Sequence, residues 1–320
     1  MILIAPDKFK GTFTAAEICE IVKGRLLQAG VSADICCRPL SDGGEGIASV
    51  VMPSGKRIDK GVYVDGSRKL VVSSEIVGFE AFSGSGQPLM ARSSIMLGLA
   101  VEPDVPVTIA VGGTAVADGG AGFLQGLGVK FFDKYGNKIR NALSPELLPV
   151  VASADLSSLS RYRLSGIVDV RARLVGGPLS SIDFARQKAL PGESLEGLAE
   201  ALQHFQSVMG GNSEWDGAGG GIGYALASVC GAPCISGGEA AVDNLDVDWN
   251  NVEMIITGEG CVDRQTERGG KLVDALVRKG TELNIPVIIL YGACDGNVRY
   301  PSMHQIDSDW EKAVIAAMNA

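Results

Sequence analysis

Four times along this chain a short apolar run ends in a loop that mixes glycine with an acid and leads on toward a helix. The loops are Ala5-Pro-Asp-Lys8, Ser41–Gly46, Gly112–Gly122 and Thr257–Asp263. A strand, a loop and a helix in repeated order close most readily as a parallel sheet with crossover helices. At the start, Met1–Ala5 reads as a buried strand. Thr14-Ala-Ala-Glu17 is a capping box that opens a helix to about Gln28, with Gly30 as its stop. A strand over Ala33–Pro39 and a helix over Ile47–Val51 follow. After Asp243 the same pattern returns, with strands over Val252–Thr257 and Ile285–Tyr291 and helices over Lys271–Lys279 and Glu311–Met318. In the middle it gives way to a hairpin, Val62–Val64 and Lys69–Val72 about Asp65-Gly66, and to one strong unit of strand Val107–Val111, loop, and Phe123–Leu127. The expected architecture is an α/β chain whose two ends, residues 1–57 and 238–320, form one parallel-sheet domain. Residues 58–237 form a mixed α/β domain inserted between them.

Composition narrows the function. Of 320 residues, 43 are glycine, and they cluster at the ends of apolar runs rather than in a low-complexity tract. The net charge of −9, without a Lys/Arg run, disfavours nucleic acid and anionic membrane as partners. The N-terminus has no leader pattern, and neither Val105–Val111 nor Ile285–Tyr291 is long enough to span a bilayer. Seven unpatterned cysteines and two histidines suggest neither a zinc site nor a disulfide framework, and fit the reducing cytoplasm.

In open α/β sheets ligands sit beyond the carboxyl ends of the strands. Glycine there lets backbone N–H groups approach phosphate oxygens, and a following helix N-terminus favours negative charge. Carboxylates in such loops repel phosphate, so their use is to hold Mg²⁺ or to take a proton from an attacking hydroxyl. The pattern therefore points to Mg²⁺-dependent phosphoryl transfer. A single loop of this kind is better explained by turn geometry or a helix cap; four together favour chemistry. Gly217–Gly223 fits neither G-x-G-x-x-G nor the P-loop, and is either a phosphate cradle or a close crossing of backbones. Lys271 follows Gly270 but precedes Leu272, which excludes the P-loop. Lys8 and Lys271 are candidate phosphate-facing cations, each with a structural alternative. His204, in an amphipathic helix, and His304, in a polar tail, read as structural or surface residues, and Cys261 as a small loop filler. No G-x-S-x-G elbow occurs, so covalent hydrolysis is disfavoured.

At these loops the sequence resembles the glycerate kinase family, the type unrelated to P-loop kinases. The segments that carry the resemblance are Ile4-Ala-Pro-Asp-Lys-Phe-Lys-Gly11, Leu40-Ser-Asp-Gly-Gly-Glu-Gly46, Gly112–Gly128, Gly217–Gly223 and Ile256-Thr-Gly-Glu-Gly-Cys-Val-Asp-Arg-Gln-Thr266. The resemblance implies ATP-dependent phosphorylation of D-glycerate with Mg²⁺; monomer and homodimer both stay open as the expected assembly. It also implies a Rossmann-like (flavodoxin-like) domain formed by both termini, an inserted second domain and a site in the cleft between them. Carried over by position, Asp42, Asp263 and Lys8 are the expected catalytic groups. Asp7, Lys8 and Glu45 are expected at the substrate. Gly43, Gly44, Gly112, Gly113, Gly119, Gly120 and Lys271 are expected at the nucleotide, and Asp42, Asp118, Glu259 and Asp263 at the metal. The chain departs from the family pattern at Ala117, where an Asn is usual, over Val168–Leu174 and Phe184–Ala189, around Met90–Ile95, and at Cys261. Those departures keep a second reading open, a non-catalytic or altered-specificity homologue that binds a small hydroxy acid or nucleotide.

Overall fold

The computed structural model describes residues 1–9, 12–41, 46–262, 271–294, 298 and 300–318. The chain forms two compact units, Met1–Asp42 with Ser236–Ala320, and Gly43–Ile235.

The strands in chain order are β1 (Ile2–Ile4), β2 (Ile35–Cys37), β3 (Lys56–Asp59), β4 (Val62–Asp65), β5 (Arg68–Val72), β6 (Pro106–Val111), β7 (Lys130–Phe132), β8 (Ser153–Asp155), β9 (Arg163–Val168), β10 (Cys234–Ser236), β11 (Met254–Val262), β12 (Val287–Cys294) and β13 (Met303–Gln305). The first unit is built on a five-stranded sheet in the order β13-β12-β11-β1-β2. Every neighbouring pair in it is parallel. Counted within the unit, this is the order 2-1-3-4-5 of a flavodoxin-like doubly wound sheet. Its interior strand β1 is fully buried, as a parallel strand covered on both faces must be. On one face Ile2, Ile4, Met254, Ile256, Ile288 and Leu290 pack with Ile18, Val22 and Leu26 of the helix Ala15–Gln28 and with Trp310 and Val314. Ile289 and Val262 pack instead with Val273 of the helix Leu272–Leu283.

The first helix begins and ends on its own sequence signals. Thr14 Oγ1 accepts from Glu17 N at 3.2 Å and Thr14 N donates back to Glu17 Oε2 at 2.8 Å, which closes the capping box. At the other end Gly30 takes φ +81°, with Gly30 N donating to Leu27 O and Val31 N to Leu26 O, each at 3.1 Å. That pair of bonds is a Schellman stop, and it favours glycine because of the left-handed backbone.

Two sequence expectations are corrected in this unit. β11 does not end at Thr257 but runs on to Val262, paired with β12 through Glu259↔Tyr291 and Val262↔Cys294. The glycines that read as a loop sit beside a long partner strand whose backbone satisfies theirs, so pairing overrides propensity. His304 lies in β13 opposite Leu290, not in an irregular tail.

The second unit carries a six-stranded sheet, β10-β9-β6-β5-β4-β3, in which β5, β6 and β9 are parallel and β3, β4 and β5 antiparallel. The hairpin between β4 and β5 falls where its turn signal places it. The sequence pattern puts the start of this unit near Arg57, whereas the units divide at Asp42/Gly43. The helix Ile47–Val51 packs with the second unit, and Arg68 Nη2 donates to Val51 O at 3.0 Å. A five-residue helix holds too little pattern to reveal that docking. Around β6 the core gathers Ile109, Val111, Phe123, Phe131, Phe205 and Tyr224. His204 is structural, its Nε2 lying 2.8 Å from Val151 O. Among the described residues no helix is long and apolar enough to cross a membrane.

Candidate active site

In the first unit the strand order reverses between β1 and β11, and such a switch point is where a doubly wound sheet opens a crevice for ligand. Beyond the last residue of β1 the chain keeps following β11. Ala5 N donates to Ile256 O at 2.8 Å, Thr257 Oγ1 to Ala5 O at 2.8 Å, and Asp7 N to Gly258 O at 2.9 Å. This ladder places Asp7 alongside Gly258 and Glu259. Asp7 is 9% exposed and its Oδ1 accepts from Lys8 N at 2.7 Å, which fixes the start of the loop. Glu259 is 8% exposed and meets Lys271 Nζ at 3.3 Å, with Lys271 standing as the cap of the helix Leu272–Leu283. Two residues assigned separately, Glu259 to the metal and Lys271 to the nucleotide, are therefore partners between β11 and the start of the helix Leu272–Leu283. Lys8 is half-buried in the same loop. Cys261 is an exposed strand residue opposite Ala293. Asp42, Gly43, Gly44, Glu45 and Asp263 lie outside the described residues. Among the described residues no group of three or more His, Cys, Asp or Glu side chains could hold a metal ion.

In the second unit the loop that follows β6 is buried at every residue from 112 to 120 except Gly113. A buried loop must find partners for its backbone, and this one does so through side chains as well as backbone. Ser73 Oγ accepts from Gly112 N and donates to Gly112 O, both at 3.2 Å. Asp118, 0% exposed, accepts from Ser94 N and Ser94 Oγ at 2.7 Å each, and from Gly120 N and Gly122 N at 3.1 Å each. Burial pushes its carboxyl above the usual range against the pull of those four bonds. Both its oxygens are thus engaged in shaping the loop and the start of the helix Ala121–Gly126. That arrangement supports a fastening role in place of the metal-ligand role expected of Asp118. Ala117, at the position where the family pattern has Asn, is a buried core residue.

Gly217–Gly223 is a backbone crossing. A Cβ on Gly220 would overlap Val116 O, and one on Gly221 would overlap Gly119. Gly119 N donates to Gly220 O at 3.0 Å, which ties the two segments together.

Sequence reasoning missed Arg92 and Lys188. Arg92 is 4% exposed, and its Nη1 donates to Ala115 O at 3.2 Å and to Lys188 O at 3.0 Å. Lys188 is 8% exposed, and its Nζ donates to Thr114 Oγ1 at 3.2 Å and to Val116 O at 3.1 Å. Both residues lie in segments where the family pattern is altered, and nothing local marks either as buried.

The chain matches the model of the glycerate kinase family over residues 2–313. It is 30% identical to a glycerate kinase of Neisseria meningitidis serogroup B, over 91% of this chain and 85% of that protein. It is 28% identical to the glycerate 2-kinase of Escherichia coli K12, over 96% of this chain and 89% of that one. Among solved structures it superposes on a candidate glycerate kinase 2 from Salmonella typhimurium LT2 with a TM-score of 0.65 at 26% identity, covering 99% of this chain and 94% of the other.

Proposed function

The chain belongs to the glycerate kinase family, and from that premise we propose that it transfers the γ-phosphoryl group of ATP to a hydroxyl of D-glycerate. The observation that carries the reading is the pair of buried carboxylates at the switch point of a doubly wound sheet, Asp7 in the segment that continues β1 and Glu259 on the neighbouring β11. The donor set suits Mg²⁺, which takes one or two protein carboxylates and fills its remaining positions with phosphate oxygens and water. Asp7 and Glu259, with Asp42 and Asp263, would hold it. When bound it neutralises charge on the phosphates.

The chain's own groups do the rest. Lys8 and Lys271 offset charge on the transferred group, and Lys271 is held in place by Glu259. Asp42 or Asp263 accepts the proton of the attacking hydroxyl, a contribution of about 10²–10⁴ in rate. The seven free thiols fit action in the cytoplasm. A coupled assay of ADP release from Mg-ATP, with and without D-glycerate, tests the reading. Glycerate-dependent turnover that disappears in Asp42→Asn or Asp263→Asn supports it. If wild-type protein binds D-glycerate or Mg-ATP without turnover, a sensing homologue is the better account.

A further inference from the structure

Between the end of β1 and Asp7 the backbone direction is set by a short series of torsions, and each is held by a different group. Ala5 N donates to Ile256 O at 2.8 Å, which fixes Ala5 against β11. From there the path to the Asp7 Cα runs through ψ of Ala5, φ of Pro6 and ψ of Pro6, since the peptide units between them are planar. The Pro6 ring closes the second of these. Leu40 N, in the segment that follows β2, donates to Pro6 O at 3.0 Å and sets the third, with Asp7 N held by Gly258 O at 2.9 Å. The first falls to a side chain. Thr257 Oγ1 donates to Ala5 O at 2.8 Å and so orients the plane of the Ala5–Pro6 peptide. At the far end Lys8 N donates to Asp7 Oδ1 at 2.7 Å and turns the carboxylate itself.

Thr257 is 1% exposed, and Met254, Ile255 and Ile256 before it in β11 are apolar and buried. Valine keeps the β-branched shape that a buried strand favours and has no hydroxyl to desolvate, so packing alone gives no reason for threonine. The hydroxyl goes instead to the backbone two residues ahead of a buried carboxylate. We propose that Thr257 is a positioning residue for the metal–phosphate site, its hydroxyl aiming the Asp7 carboxylate by fixing the carbonyl of Ala5. The inference rests on the kinase reading, in which Asp7 is one of the groups that would hold Mg²⁺.

Calorimetry of ATP with Mg²⁺ and of ATP in EDTA, on wild type, Thr257→Val and Thr257→Ser, tests it. Thr257→Val is expected to bind Mg-ATP about tenfold or more weakly than wild type, as the loss of a group behind a metal ligand does. Its binding of metal-free ATP stays within about threefold of wild type. Its melting temperature stays within about 4 °C, the shift of one lost hydrogen bond in a chain of this size. Thr257→Ser, which keeps the hydroxyl and drops the methyl, restores Mg-ATP binding to within about threefold. Mg-ATP binding by Thr257→Val within about threefold of wild type overturns the proposal. So does an equal loss with and without Mg²⁺, or a Thr257→Ser protein as weak as Thr257→Val, since either marks a general loosening of the strand. If Thr257→Val fails to fold, Thr257→Ala takes its place under the same limits. Wild type that binds Mg-ATP without glycerate-dependent turnover removes the kinase reading alone and leaves the comparison of variants standing.

Discussion

The strand-end loops of the two units are written in the same idiom, glycine with a carboxylate after an apolar strand, but they use it in opposite ways. At the end of β1 and β11 the carboxylates of Asp7 and Glu259 keep a small exposed fraction, and Glu259 has a lysine for its partner. At the end of β6 the carboxylate of Asp118 is sealed and occupied by four donors of its own protein. The first arrangement leaves charge near the solvent edge of a sheet, where the proposed metal–phosphate group would be met. The second holds a backbone still. A Gly-acid loop therefore marks a place where structure is demanding, and burial with its partners decides whether the acid is a reagent or a fastening.

The comparison is most exposed at Asp118. Asp118→Ala leaves four buried donors without an acceptor, and should lower stability by about 3–5 kcal/mol in denaturant unfolding. A variant of wild-type stability that has lost only activity would make Asp118 a reagent and erase the contrast. Next in size is Lys188. Its folded-state value of about 8 lies below lysine's ordinary range, so the unfolded chain holds a proton between about pH 8 and 10 that the folded chain has released. Its contribution to stability is unfavourable and constant below pH 8 and improves as pH rises through that window, by on the order of 3 kcal/mol. Lys188→Met should therefore melt above wild type at pH 7, with the gap closing toward pH 10. A gap independent of pH would mean that the lysine carries no desolvated charge.

Two glycines sharpen the same contrast at smaller scale. Gly220→Ala drives a methyl into Val116 O at φ +71° and should lower stability by about 3 kcal/mol, with activity falling alongside. Gly30→Ala meets nothing within 4 Å, so only its left-handed backbone opposes it, at about 1 kcal/mol and with kcat unchanged. Urea unfolding of the pair checks the ratio.

What could be read in the sequence was local or periodic. The capping box at Thr14, the stop at Gly30 and the hairpin at Asp65-Gly66 are each set by residues within a few positions of one another. What could not be read depends on distant partners. β11 extends past Thr257 because β12 lies beside it. Gly217–Gly223 is a crossing because Val116 and Gly119 lie against it. Nothing local marks Arg92 and Lys188 as buried, because what covers them is the distant loop from β6. Asp7 and Glu259 each stand out in the sequence beside glycine after an apolar run, but the pairing of Glu259 with Lys271 does not, because twelve residues separate the two.

The most direct test of the central claim is glycerate-dependent ADP release by wild type and Glu259→Gln, each with its melting temperature. The claim predicts wild-type turnover that falls on the order of 10²-fold or more in the variant, while stability stays within about 1 kcal/mol of wild type. Undiminished turnover in Glu259→Gln would contradict the assignment of the chemistry to the end of β1 and β11.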